Sequence, residues 1–267
     1  MKPLGAALTG LPEAGSRFRW TSASRSHVGL VREINEDACL DQAERGLWAV
    51  ADGMGGHSVG DFASGMVIEA LSDAPSPSSL ESFVADARER LEAVNQKLRA
   101  EARRRKAQMI GSTVVALLAY DRYCACLWAG DSRIYLYRNG RLRLLTRDHT
   151  HAEELKARGV VATEDALHRA VRHGITRAVG AVERLDLDAE VVEISDGDMF
   201  LLCSDGLSNT ASTQEIVSAL LPGNCRRAAD TLIEVALERG GHDNISAVVV
   251  CAEDLDSSDR TMFNPAL

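Results

Sequence analysis

Several apolar runs in this chain end on an acidic residue flanked by glycine or a small polar residue. LWAVAD (47–52) is followed by Gly53, LWAGD (127–131) by Ser132, and LLCSD (201–205) by Gly206. Asp243 immediately precedes the run NISAVVV (244–250), and the pair Glu36–Asp37 stands at another boundary in REINEDACL (32–40). A single Asp-Gly is ordinarily a turn. A set of carboxylates at strand boundaries is harder to read that way. Converging carboxylates repel one another and hold their protons tightly unless a cation neutralises them. Oxygen donors suit Mg²⁺ or Mn²⁺ rather than zinc. One carboxylate shared between two such ions would build a binuclear hydrolytic site.

Other chemistries fit less well. Gly53-Met-Gly-Gly-His57-Ser-Val-Gly60 is glycine-rich, but its offsets match neither G-x-G-x-x-G nor a P-loop. Asp52 directly before it would repel a pyrophosphate, so a turn offering a backbone carbonyl to a metal fits better. His149-Thr-His151, with His168 and His173 nearby, is the rival metal reading, a zinc hydrolase; no H-E-x-x-H or C-x-x-C supports it. G-x-S-x-G is absent, and Gly111-Ser-Thr113 opens a strand where small residues pack.

These residues need elements to position them. Val59, Phe62, Ala63, Met66, Val67, Ala70 and Leu71 follow the spacing of a buried helical stripe. Ser78 with Glu81 reads as a capping box for a second helix with the stripe Leu80, Phe83, Val84, Ala87, Leu91, Val94, Leu98. Arg103–Lys106 ends that helix, where positive charge complements the dipole. Strands are expected at 112–120, 122–129, 133–138, 141–145, 187–194, 198–203 and 244–251, and helices at 213–221 and 225–239. Asn139–Gly140 is a strong hairpin signal. Hairpins in series without β–α–β alternation suggest antiparallel sheets with helices outside, an α+β layout.

The 267 residues carry 45% hydrophobic and 26% charged side chains, ordinary values that exclude wholesale disorder. The reading is one domain over 16–253, with loose tails at 1–15 and 254–267. A net charge of −9 and 4% aromatics argue against nucleic acid and anionic membrane as partners. No apolar run is long enough to span a bilayer, and 1–15 is a poor secretory signal. Six cysteines without a C-x-x-C pair point to reduced thiols and the cytoplasm.

Taken in order, GLVREINEDA (29–38), AVADGMGGH (49–57), GSTVV (111–115), AGDSR (129–133), TRDHT (146–150), ITRAVG (175–180), LLCSDGL (201–207) and HDNISAVVV (242–250) resemble the bacterial branch of the metal-dependent protein phosphatases, type 2C. The resemblance runs from about Ser24 to Cys251. It implies a central sandwich of two antiparallel β-sheets flanked by helices. It also implies dependence on Mn²⁺ or Mg²⁺ and hydrolysis of phosphoserine and phosphothreonine in proteins by a metal-bridging hydroxide.

The resemblance also assigns positions. Asp52 would bridge two core metals, and Gly53 would offer its carbonyl to one of them. Asp205 and Asp243 match further ligands, and Glu36 and Asp37 the acidic pair serving the site directly or through water. Asp131 with Asp205 matches a weaker third site. Arg32 matches the arginine that grips substrate phosphate, and Asn244 a support for the loop carrying Asp243. Met54 stands where the eukaryotic branch has a histidine as candidate general acid. His57 is weighed for that role and set aside, because an imidazole at a helix N-terminus tends to stay neutral; water is expected to supply the proton. Residues 149–175 cover the family's flap, which influences substrate choice. The reading is a cytoplasmic, monomeric phosphatase whose partners are phosphorylated proteins and a cognate Ser/Thr kinase. Its rival is a phosphatase-like module that binds phosphoproteins without turnover.

Overall fold

The computed structural model describes residues 18–55, 59–159 and 174–255. Two antiparallel sheets stack face to face. The first comprises β1 (Phe18–His27), β7 (Arg133–Arg138), β8 (Arg141–Leu144), β10 (Met199–Cys203) and β11 (Ile245–Asp254), in the order β1-β11-β10-β7-β8. The second comprises β2 (Asp37–Gln42), β3 (Leu47–Met54), β5 (Val114–Tyr120), β6 (Tyr123–Ala129) and β9 (Asp188–Glu193) in that order, with β4 (Gly111–Ser112) on the end of β3. Helices α1 (Gly60–Ser72) and α2 (Leu80–Arg105) cover the second sheet. Helices α5 (Thr213–Leu220) and α6 (Cys225–Glu238) cover the first. Two shorter helices, α3 (His151–Ala157) and α4 (Asp205–Ser208), lie between strands in the sequence.

Strand side chains alternate between faces, and here both faces are covered. In β3, Leu47, Ala49 and Ala51 pack under α1 and α2, whereas Trp48 and Val50 enter the layer between the sheets. In β10, Met199 and Leu201 face α5 and α6, and Phe200 and Leu202 face the other sheet. Three apolar layers result, which explains why these strands read as continuous apolar runs. Asn139 and Gly140, with φ of 50° and 77°, make the β7–β8 turn that the dipeptide signals.

Some expectations change. Phe62 is 40% exposed, out of the buried stripe, with the Arg105 guanidinium over its ring; α1 buries only Gly60, Ala63, Ser64, Val67 and Leu71. The α2 capping box is Ser79 with Ser82, not Ser78 with Glu81. Ser79 Oγ accepts the Ser82 N–H at 3.0 Å, and Ser82 Oγ accepts the Ser79 N–H at 3.0 Å. The strand expected over 112–120 breaks at Thr113 into β4 and β5. Strand β1 escapes the pattern because it is an edge strand in which only Phe18 is buried, and α3 because Ala152 is its one buried residue. Strand β11 runs to Asp254, one residue into the segment read as a tail. The segments 1–15 and 256–267, and His57, His168 and His173, lie outside the described residues.

All six cysteines are free thiols. No helix among the described residues is long and apolar enough to cross a membrane.

The cap assignment is testable by urea denaturation. Ser79→Ala should cost about 1 kcal/mol, the usual value of an N-cap hydroxyl, and Ser78→Ala less than half of that. Equal losses would return the cap to Ser78.

Candidate metal centre

Strand register brings the acidic residues to one end of the sandwich. Asp37 and Asp52 are directly opposite in the β2–β3 ladder. Asp52 shares the parity of Trp48 and Val50, and Asp37 that of Cys39, so both point between the sheets. On the first sheet Cys203 pairs with Arg133 and with Ala247, and His27 pairs with Ile245. Asp131, Asp205, Asp243 and the loop 28–36 all leave from those strand ends.

The carboxylates feel one another. Burial is the main force pushing the Asp52 carboxyl well above the usual carboxylate range, followed by the charges of Asp37, Asp205, Asp131 and Asp243. Burial also pushes Asp37 up to about 6 and Asp131 up to about 7. For Asp37 the hydroxyls of Ser246 and Ser204 oppose the shift; for Asp131 the charges of Asp205 and Asp148 add to it. Asp205 is raised by burial and by Asp243, with Arg32 opposing.

The backing is polar and ordered. Ser204 Oγ donates to Asp37 Oδ2 at 2.7 Å and accepts the Ser246 N–H at 3.0 Å. Thr113 Oγ1 accepts the Asp52 N–H at 3.0 Å, and the Asp52 carbonyl accepts from Thr113 N and Ser112 Oγ. Arg133 holds Asp148 through two hydrogen bonds of 2.9 and 2.7 Å. Ser204, Ser246, Arg133 and Asp148 were not among the site candidates. For Ser204 and Arg133 the available signal was a hydroxyl or a counter-charge within two residues of a strand-end aspartate, next to Asp205 and Asp131; Ser246 and Asp148 carry no such signal.

The remaining candidates have distinct places. Arg32 donates from its guanidinium to Asp243 Oδ2 at 2.9 Å. Glu36 turns one carboxylate oxygen to the Gly60 N–H, at the start of α1, at 3.0 Å. Its backbone carbonyl accepts the Gly53 N–H. Gly53 is sterically required, since a Cβ there would lie 1.9 Å from the Gly60 carbonyl oxygen. Asn244 is buried; its Oδ1 accepts the Glu36 N–H at 2.8 Å, and its Nδ2 donates to the carbonyls of Val28 and Ile34 at 2.9 Å. It therefore staples the Arg32 loop to the start of β11, a wider role than supporting Asp243 alone.

His149 is buried. Its Nδ1 accepts the Gly130 N–H and its Nε2 faces Asp188, which makes it a neutral structural imidazole. Among the described residues no three His, Cys, Asp or Glu side chains form a ready-made cation cage. The donor chemistry nonetheless fits hard cations. Asp37 Oδ1 and Asp131 Oδ1 are buried oxygens without a hydrogen-bond partner, and anionic oxygens of that kind are what Mn²⁺ and Mg²⁺ take.

Fold and site together define a class: a two-sheet sandwich that gathers carboxylates at one end. The family profile described as Protein phosphatase 2C matches residues 22–239, and the chain belongs to that family. Serine/threonine protein phosphatase PstP of Mycobacterium tuberculosis is 37% identical over 238 residues, 88% of this chain and 45% of that protein. The chain thus spans about half the length of that relative. A solved structure described as PppA, a key regulatory component of T6SS in Pseudomonas aeruginosa, is 44% identical with a TM-score of 0.81, covering 87% of this chain and 97% of that one. The catalytic domain of PstP, solved in complex with 2 manganese ions, is 35% identical with a TM-score of 0.79, covering 89% and 100%.

The raised carboxyls predict a pH signature in chelator. A folded-state pKa above the unfolded value means that the native state binds more protons, so stability falls as pH rises towards the folded pKa. His149, whose burial lowers its pKa, works in the opposite direction. The Asp131 contribution is therefore read as a difference. The thermal midpoint of Asp131→Asn minus that of wild type should grow from about pH 5 to about pH 7 and then level. A constant difference would contradict the placement of Asp131.

Proposed function

We propose that this protein is a Mn²⁺- or Mg²⁺-dependent serine/threonine protein phosphatase that opposes a Ser/Thr kinase. The observation that carries the reading is the set Asp37, Asp52, Asp131, Asp205 and Asp243 at one sandwich end, with buried oxygens of Asp37 and Asp131 unpartnered. Asp52, the Gly53 carbonyl, Asp205 and Asp243 would hold the two core ions, served by Glu36 and Asp37. Asp131 with Asp205 would hold a weaker third. Bound there, such ions activate water near neutral pH and offset phosphate charge.

The chain's own residues do the rest. Arg32 is exposed and already engages a carboxylate, so its planar guanidinium can grip a phosphate through two oxygens instead. Asn244 fixes the loop that presents it. The Ser204 and Thr113 hydroxyls hold Asp37 and the Asp52 backbone in place, limiting the rearrangement that ligand binding requires. No nucleophilic side chain is needed. A serine or threonine leaving group needs a proton, which water is expected to supply.

Similarity to PppA, described as a key regulatory component of T6SS, supports a regulatory role. Six reduced thiols support a cytoplasmic setting. The non-catalytic alternative has less support, because every acidic position of the family pattern is present.

Purified protein should hydrolyse p-nitrophenyl phosphate and a phosphothreonine peptide with Mn²⁺ and lose both activities in chelator. Asp52→Ala and Asp205→Ala should each abolish turnover. Retention of phosphopeptide binding without turnover by the wild type would favour the regulatory-module reading. Arg32→Lys should lower kcat/KM for phosphate monoesters about 10- to 100-fold, the value of a charged hydrogen bond, while Mn²⁺ affinity stays near wild type. Wild-type kinetics would make Arg32 a surface residue.

A further inference from the structure

A groove of about 1000 Å³ opens beside the carboxylate site, lined in part by Gly55, Arg99, Arg103, Met109 and Gly180. Gly55 stands three residues past Asp52, so this wall begins within about 10 Å of it along the chain. Arg99 and Arg103 are four residues apart on α2 and share a face of that helix. Helix-end arginines often serve only the dipole. Here Arg104 and Arg105 pair with Glu101, while Arg103 is exposed with no acidic partner among the described residues. Arg99 makes one long hydrogen bond, 3.4 Å, to the Glu183 carbonyl. Two cationic groups are thus open to a ligand on a chain of net charge −9.

The groove is built rather than incidental. Asn95, fully buried on α2, accepts the Gly180 N–H at 2.7 Å and donates to the Val182 carbonyl at 3.1 Å. Gly180 has φ +92°, and a Cβ there would meet the Ile110 carbonyl oxygen at 2.3 Å. Val179 exchanges two backbone hydrogen bonds of 2.9 Å with Ser112, which pairs with Gly53. The far wall is therefore tied, through β4, to the backbone that carries Asp52.

We propose that this groove docks acidic residues of the substrate phosphoprotein, two to four positions from the phosphorylated residue, with Arg99 and Arg103 as specificity determinants. The phosphatase reading supplies the position of the phosphate, at Asp52 and Arg32. An extended peptide advances about 3.3 Å per residue, so the first groove residue lies about three positions away. Charge complementarity selects the occupant: an acidic, extended segment.

The test uses two fluorescent phosphothreonine peptides that differ only in Glu or Ala at those positions. Anisotropy with Mn²⁺ and the non-hydrolysable phosphonate forms of both peptides reads binding without turnover, and hydrolysis of the phosphate forms with Mn²⁺ reports separately on the phosphatase reading. Wild type should bind the Glu peptide about fivefold or more tightly than the Ala peptide, the size of two partly exposed ion pairs. Arg99→Glu with Arg103→Glu should abolish or invert the preference, and Arg99→Gln with Arg103→Gln should shrink it. Equal wild-type binding of the two peptides, or a full preference in the folded Gln double variant, would overturn the proposal.

Discussion

Repulsion among carboxylates that are buried or half-buried is the constraint around which this molecule is arranged. Asp52 is hemmed in by the charges of Asp37, Asp205, Asp131 and Asp243, and its burial makes its own charge more expensive. Such a cluster is a local cost to folding. It persists because four strand ends and the loop 28–36 leave no other place for these side chains. Arg32 supplies part of the opposing charge through Asp243, and hard divalent cations would supply the rest.

The arrangement follows from strand parity. The alternation that sends Trp48 and Val50 into the inter-sheet layer also sends Asp52 there at the open end, where apolar packing stops. A one-residue slip of β3 would exchange these faces and bury Asp52 under the helices. The three apolar layers therefore do more than stabilise the fold, because they fix the register on which the site depends. Small residues at the same end then allow the backbones to close: Gly53 against Gly60, with Ser204 and Thr113 holding the acidic strand ends.

Most of this was legible in the sequence, for identifiable reasons. Apolar runs ending in Asp marked the strands and the site together, and Asn139–Gly140 marked a hairpin by its backbone demands alone. The edge strand β1 was not legible, because a strand with one buried residue carries little hydrophobic signal. The cap of α2 was misplaced by one residue because adjacent serines offer the same chemistry, and only backbone geometry selects Ser79. The acidic positions were found, but not their polar backing. Ser246 and Asp148 look like ordinary residues until the sheets stack and bring them to Asp37 and Asp131.

With these pKa values the carboxylate cluster should hold protons until a divalent cation replaces them. Calorimetric titration of chelator-stripped protein with Mn²⁺, in buffers of different ionisation enthalpy, counts the protons released on binding. With Asp37 pushed up to about 6, Asp131 to about 7 and Asp52 well above the usual range, Mn²⁺ should bind saturably with net proton release at pH 6, and with less release as pH rises through about 7. Binding with no proton release at pH 6, or no Mn²⁺ binding, would contradict it.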